Sequence, residues 1–305
     1  MPFFDFHTHS HFSDGEHSPQ HLAKIALEAG IKQLALTDHD CVDGLPELKS
    51  NALGLEVING VEISSTWQNT EIHILGLLID PGHKAISELL ENQQHLRRER
   101  IERIHKKLCK LGISGLLEYL ENLNCKALTR THVSNFLVSE GHSKNNQKAF
   151  KVFLGKKGKV YSPANWCDLT ESVNAIAASG GIAVIAHPSR YSISSRALNA
   201  LVKDFRNAGG EGLEISYPNI DQATRKNLKT LAIKNNLYCS GGSDFHSYSR
   251  TWAQIGKFPT LQDNGEIKTI FEHPSWKARQ NLHSLARYRS HHRRRLLTSV
   301  YSTTV

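Results

Sequence analysis

Two histidines near the start of the chain stand in a pattern that suits metal binding. The apolar run Phe3 to Phe6 is typical of a β-strand, and His7 and His9 follow it directly. Alternate residues of a strand point to the same side, so both imidazoles can face one ion. We therefore predict that a metal site begins at this strand.

Further imidazoles and carboxylates recur where apolar segments give way to Gly, Ser, Asp or Pro. Any one of them alone is more often a surface or hydrogen-bonded group than a ligand, so the argument rests on position. In an α/β barrel the C-terminal ends of the strands converge on one face, where catalytic groups collect. Imidazole and carboxylate without thiolate suit divalent first-row metals. The six histidines and three acids of this set are His7, His9, Asp14, His39, Glu62, His73, His187, Asp244 and His246.

The elements that must position these residues alternate between strand and helix. Ser18 and Pro19 form an N-cap and first turn, and Gly30 ends that helix. Strands separated by helical segments predict a parallel sheet. Beyond the first strand, the expected strands cover residues 31–37, 55–58, 71–79, 181–186, 212–216 and 238–240.

This alternation breaks between residues 83 and 167. Residues 83–111 predict a long helix with an apolar face, and a shorter helix is expected around 132–138. The other face of the long helix is basic, which favours a solvated surface over a nucleic-acid contact. Its basic residues are Arg97, Arg98, Arg100, Arg103, Lys106, Lys107 and Lys110.

Composition sets the outer bounds. A chain of 305 residues can form one large α/β domain, with or without an insertion. It contains neither an apolar stretch of 18 residues nor a charged-then-apolar leader, so we expect a cytoplasmic protein without a membrane span. Five cysteines without C-x-x-C spacing predict reduced thiols. The net charge of +8 favours a polyanionic substrate.

The motifs resemble those of the polymerase and histidinol phosphatase (PHP) family, and within it the TrpH/YciV-like branch. The resemblance runs from residue 3 to about 256 and is carried by His-Thr-His-Ser, Ser-Asp-Gly, Thr-Asp-His-Asp, Gly-Val-Glu-Ile-Ser, Ala-His-Pro and Ser-Asp-Phe-His. It implies an α/β fold, a distorted seven-stranded (β/α) barrel with a helical insertion domain over the barrel mouth. The barrel would comprise residues 1–82 and 168–275, the insertion or lid 83–167, and a basic C-terminal tail 276–305. That tail is either a solubilising terminus, which we prefer, or a nucleic-acid arm.

The resemblance also divides the nine ligands among up to three divalent ions. Mn²⁺ is the ion expected from the family, and Fe²⁺ or Zn²⁺ suit the same ligands. Two cations held by a bridging carboxylate can lower the pKa of a shared water, and the resulting hydroxide can attack phosphorus. The first site would use His7, His9, Glu62 and Asp244; the second Glu62, His73 and His187; the third Asp14, His39 and His246. Catalysis would depend on Glu62, Asp244 and His187.

Other polar residues allow two interpretations each. Arg130 and Arg190 are predicted to clamp phosphate, because the planar guanidinium matches phosphate oxygens; a structural salt bridge is the alternative. His132 either touches substrate or completes hydrogen bonding within the lid. Asp38 and Asp40 flank a ligand, and either orient imidazoles or cap turns.

We therefore predict a metal-dependent phosphoesterase. The resemblance implies hydrolysis of the 3'-phosphate of nucleoside 3',5'-bisphosphates such as pAp, and removal of 5' nucleotides from short 5'-phosphorylated RNA. The alternatives are an amidohydrolase-like enzyme with the same metal centre and a non-catalytic regulatory module. The complete ligand set counts against the second of these. No membrane association and no stable protein partner are expected.

Overall fold

A seven-stranded sheet forms the framework of the computed structural model, which describes residues 3–261 and 265–281. The strands follow one another across the sheet in chain order. They are β1 (Phe4–Asp5), β2 (Gln33–Leu36), β3 (Glu56–Trp67), β4 (Thr70–Leu77), β5 (Ile182–Ile185), β6 (Gly212–Ser216) and β7 (Tyr238–Gly241).

The two edges of the sheet meet just beyond their last strand residues. Thr8 and Phe245 form an isolated parallel bridge, and the His9 N–H donates to the Phe245 carbonyl at 2.9 Å. The Asp244 N–H donates to the His7 carbonyl at 2.8 Å. The sheet is thus nearly closed, and the predicted distorted seven-stranded α/β barrel is confirmed.

The expectation of a parallel sheet is wrong at one strand. β4 runs antiparallel to both β3 and β5, whereas the other pairs are parallel. Only Gln68 and Asn69 connect β3 to β4, and both have positive φ, at 44° and 62°. Two left-handed residues are the signature of a tight hairpin, which forces antiparallel pairing. The same hairpin makes β3 much longer than the predicted strand 55–58.

Helices cover the outside of the barrel and form the segment between β4 and β5. The predicted first helix is confirmed, with the Ser18 side chain accepting from the His21 N–H and Gly30 following at φ 78°. The helices are α1 (Pro19–Glu28), α2 (Leu45–Ser50), α3 (Lys84–Cys109), α4 (Leu116–Glu121), α5 (Arg130–Ser139), α6 (Asn146–Ala149), α7 (Leu169–Ala178), α8 (Ser195–Asn207) and α9 (Gln222–Lys234). Short 3-10 turns occur at Pro188–Arg190 and Ile270–Glu272, and a π-helical turn at Phe150–Leu154.

The apolar core has separate parts in the barrel and in the segment between β4 and β5. The barrel core contains Phe6 and Trp276, whose rings lie 4.8 Å apart. A second cluster joins the far half of α3 to α4, α5 and α6, through residues such as Ile104 and Phe136. Trp276, the first residue of the predicted tail, is fully buried, while residues 282–305 of that tail lie outside the described residues.

Two further expectations concern the chain as a whole. No disulfide joins the five cysteines, all of which lie within the described ranges. None of the described helices combines the length and the apolar character that crossing a membrane requires.

Candidate metal centre

The first group of predicted ligands gathers where β1 ends. His7 and His9 point to one side of the chain, and both contact Glu62 and Asp244. His7 Nε2 lies 3.3 Å from Glu62 Oε1 and 3.5 Å from Asp244 Oδ1. His9 Nε2 lies 3.3 Å from Glu62 Oε2 and 3.3 Å from Asp244 Oδ1. Gly242 allows this approach, because a Cβ there would meet the His7 Cβ at 2.4 Å.

Glu62 stands at the middle of the cluster and contacts three further histidines. Its Oε1 lies 3.0 Å from His73 Nδ1 and 3.0 Å from His187 Nε2. Its Oε2 lies 3.0 Å from His39 Nδ1. A single buried carboxylate therefore meets five imidazoles, the arrangement needed of a bridging ligand.

The remaining predicted ligands form a group around Asp14. Its Oδ1 lies 3.3 Å from His246 Nε2 and 3.6 Å from His39 Nε2. His246 also reaches Asp244, with 3.5 Å between Nδ1 and Oδ1. The structure thus brings all nine predicted ligands into one continuous cluster.

The donor atoms of this cluster fit divalent cations. In the described part of the chain, three overlapping groups of residues could each hold a cation, because the ligand atoms within each group lie within 4.8 Å of one another. The groups are His9, Asp14, His39 and His246; His7, His9 and Glu62; and His39, Glu62 and His73. Within the described chain, several of these atoms are buried without a hydrogen-bond partner, among them both ring nitrogens of His9 and Glu62 Oε2. Buried polar atoms that lack partners are costly unless an ion or water satisfies them. Imidazole and carboxylate donors match Mn²⁺, Fe²⁺ or Zn²⁺.

Electrostatics keep the acids of the cluster charged. Burial alone would raise the pKa of Glu62, but the imidazoles of His73 and His7 hold it well below its usual range. Burial opposes ionisation of Asp14 and Asp244 too, and neighbouring histidines hold the pKa of both carboxyls low. Ionised carboxylates are the form that binds cations.

The backbone is strained where two of the ligands leave their strands. His187 and Asp244 have φ values of 29° and 51°, a region that residues other than glycine rarely adopt. Such strain persists where the surrounding structure imposes it, and it clusters at functional sites. Here it turns both side chains toward Glu62 and His7.

Glu214 is a supporting residue that the sequence interpretation missed. It is fully buried on β6; its Oε1 lies 3.1 Å from His7 Nδ1, and its Oε2 accepts from the His187 N–H at 2.6 Å. It therefore orients two proposed ligands, as carboxylates commonly do beside metal-bound imidazole. An acid at the centre of the apolar strand Gly212–Ser216 was the signal available in the sequence.

Asp38 and Asp40 hold loops and bond no imidazole among the described residues. Asp38 accepts from the N–H and hydroxyl of Ser10 and from the Ser13 hydroxyl. Asp40 accepts from the Ser64 N–H at 2.8 Å and from Arg97 Nε at 2.9 Å. Neither predicted role, orienting an imidazole or capping a turn, describes these bonds, which join segments that are distant in the sequence.

Comparison with known proteins connects this geometry to a family. A model of the PHP domain matches residues 5–162. A 5'-3' exoribonuclease of Haemophilus influenzae is 37% identical, over 86% of this chain and 96% of its own length. The chain belongs to the PHP family. The family predicted from the motifs is therefore confirmed.

Two more similar proteins extend the comparison. A 3',5'-nucleoside bisphosphate phosphatase of Chromobacterium violaceum is 35% identical, over 84% of this chain and 91% of its own length. A solved structure of an amidohydrolase from the same organism, with bound sulfate and no metal, has a TM-score of 0.83 at 32% identity. The similarity covers 91% of this chain and 97% of that chain. These values extend the likeness beyond the residues that the family model matches.

The pocket over the candidate metal centre is lined by arginines, and the positions of two of them were predicted wrongly from the sequence. Arg97 and Arg100 of α3 were expected on its solvated face, but both are 5% exposed and line the pocket. Arg97 pairs with Asp40, while Arg100 Nη1 lies 3.2 Å from Glu71. The apolar pattern of the helix did not indicate that these arginines are buried, because their partners on the barrel are carboxylates and not apolar side chains.

The three predicted substrate contacts have different surroundings. Arg130 lines the pocket, with Nη2 3.3 Å from Glu71 Oε2. Arg190 contacts the Asp244 carboxylate directly. His132 is buried and is not among the residues lining the pocket; its Nδ1 accepts from the Thr129 N–H at 3.0 Å, within the cap of α5. Arg130 and Arg190 thus each form a salt bridge and lie beside the metal centre. Contact with the substrate stays a prediction for both arginines and for His132.

Proposed function

We propose that this phosphoesterase hydrolyses the 3'-phosphate of nucleoside 3',5'-bisphosphates such as pAp and removes 5' nucleotides from short 5'-phosphorylated RNA. The observation that carries the proposal is the nine-residue cluster, seven members of which line a pocket that also contains Arg97, Arg100 and Arg130. The names of the Haemophilus and Chromobacterium relatives support both substrate classes. We further propose that it acts in the cytoplasm, without a stable protein partner.

We propose that the cluster holds up to three divalent ions, with Mn²⁺ the native choice. Glu62 would bridge the first site, completed by His7, His9 and Asp244, and the second, completed by His73 and His187. Asp14, His39 and His246 would hold the third ion. When bound, such ions lower the pKa of a water molecule and neutralise developing charge on phosphate oxygens. Glu214 would keep His7 in one ring orientation throughout.

The segment 83–167 is proposed to act as a lid that brings positive charge to the substrate. Arg130 reaches the pocket from α5, and Glu71 holds its guanidinium in place. Arg100 and Arg130 hold the pKa of Glu71 below its usual range even though burial would raise it. The Arg130 side chain is 29% exposed and lines the pocket, which is where a phosphate would approach it.

The test of the proposed function is reconstitution with metal. After chelation and dialysis, Mn²⁺ should restore hydrolysis of pAp and of 5'-phosphorylated di- to pentanucleotides, with between two and three ions bound per chain by elemental analysis. Full activity in the chelated protein would contradict the metal mechanism. Turnover of amide substrates with none of phosphate esters would favour the amidohydrolase alternative instead.

Arg130→Ala should reduce kcat/KM for pAp and for short RNA together, by about tenfold, the order expected for one charge-assisted hydrogen bond. Steady-state kinetics on both substrates check this. Glu71 keeps Arg100 and the Trp166 indole as partners, so the fold should persist. Arg98→Ala removes an equal charge from an exposed position of α3 and serves as the control. An Arg130 variant that matches this control on pAp would contradict the clamp.

A further inference from the structure

An exposed aromatic residue lies near the metal centre and is connected to it through Arg190. Trp252 follows β7, is 43% exposed, and lies 5.3 Å from the Arg190 guanidinium. That guanidinium also lies 5.4 Å from the Tyr217 ring and contacts Asp244. The Arg190 guanidinium thus connects the indole to the centre, while 43% of the Trp252 surface is exposed.

Arg250 stands two residues before Trp252 in the chain and carries a second positive charge. It lines the same pocket as Asp244 and His246, and it forms no ion pair with a carboxylate among the described residues. Arg190, in contrast, is engaged with Asp244. An arginine without a carboxylate partner, two residues from an exposed indole in the chain, offers the two elements that bind single-stranded nucleic acid: a positive charge for the phosphate backbone and a stacking surface for a base.

The chemistry of the two proposed substrates says which nucleotide would reach Trp252. In both, the attacked phosphorus is joined to the 3' oxygen of the first nucleotide. In pAp its other substituents are single oxygen atoms. In RNA one of those oxygens is bonded to the next nucleotide. A contact that is specific to RNA must therefore lie on the 3' side of the attacked phosphate.

We infer that Trp252, with Arg190 and Arg250, forms a subsite for the nucleotide on the 3' side of the attacked phosphate. The base of that nucleotide stacks on the exposed indole. The subsite rests on the proposed function and adds to it a determinant that favours RNA chains over mononucleotides. Because pAp has no nucleotide at this place, it makes no stacking contact with Trp252.

Kinetics with matched substrates test the subsite. Trp252→Ala should lower kcat/KM for the 5'-phosphorylated diadenylate pApA about tenfold, the order expected for losing one base–aromatic stack. The kcat/KM for pAp should stay within about twofold of the parent value, because the substitution removes a stacking contact that pAp does not make. Trp252→Phe should recover most of the loss. Phe3→Leu, which removes a half-exposed ring beside the N-terminal end of β1, should change neither substrate.

A dinucleotide whose second residue lacks its base completes the test. The parent should process it as slowly as the Trp252→Ala variant processes pApA, and the variant should show no further loss, since the two changes remove one interaction. Equal losses on pAp and pApA would overturn the subsite and show that Trp252 acts by supporting Arg190. Unchanged pApA kinetics would overturn it too. A parent inactive on both substrates would overturn the proposed function itself, and the subsite with it.

Discussion

Glu62→Gln is expected to lower hydrolysis of pAp on the order of a thousandfold, because a metal centre contributes several kcal/mol and each 1.36 kcal/mol is tenfold in rate. The carboxylate meets five imidazoles and is proposed to bridge two ions. Glutamine keeps the size of the side chain but removes its charge and one donor oxygen. No other single substitution at the centre affects as many of its contacts.

Two measurements on the Glu62 variant separate loss of metal from loss of fold. Elemental analysis should show fewer bound ions than in the parent, while circular dichroism should show unchanged secondary structure. Glu88→Gln, at an exposed position on α3, is the matched control and should keep full activity. Parent-level turnover by the Glu62 variant would remove this carboxylate from the mechanism.

Asp40→Asn is expected to reduce the free energy of unfolding by about 3–5 kcal/mol, the cost of leaving a buried charge without its partner. Arg97 Nη2 lies 2.5 Å from Asp40 Oδ2, and both side chains are at most 5% exposed. Asparagine tolerates the left-handed backbone at this position, where φ is 47°. The decrease in the free energy of unfolding should therefore come from the lost charge and not from backbone strain.

Urea unfolding of the reconstituted enzyme measures this loss. The double variant Asp40→Asn, Arg97→Met should recover part of it, because the uncompensated guanidinium is then gone. Asp43→Asn is the control, since Asp43 pairs with Lys126 in an exposed bridge that is expected to contribute about 0–1 kcal/mol. Equal midpoints for the Asp40 and Asp43 variants would show that the buried pair contributes little to folding.

Most of the proposed ligands could be picked out from the sequence because they lie in short local motifs near the end of an apolar segment. Glu62 and His73 are the exceptions, since they lie within β3 and β4. His39, for example, follows the apolar strand that begins at Gln33, and His187 follows Ile182–Ile185. The barrel could be predicted for the same reason, since alternating strands and helices are local patterns. These parts needed no knowledge of which distant residues meet.

The parts that could not be predicted depend on such distant contacts. The side of α3 that packs inward contains Gln93, Arg97 and Arg100 at helical spacing with Ile86 and Leu90. A search for apolar residues assigns those polar positions to solvent, because Asp40 and Glu71 become their partners only in the folded chain. Glu214 escaped notice similarly, since its partners, His7 and the His187 backbone, lie elsewhere in sequence.

The meeting of the first and last strands has a consequence for the order of events during synthesis. His7 and Asp244 lie side by side in the centre, although nearly the whole barrel separates them along the chain. Contacts of such large sequence separation form late, because loop-closure entropy opposes them. A nascent chain on the ribosome therefore cannot complete the cluster until the segment after β7 has emerged. Any activity that depends on the complete cluster is therefore delayed until that segment has left the ribosome.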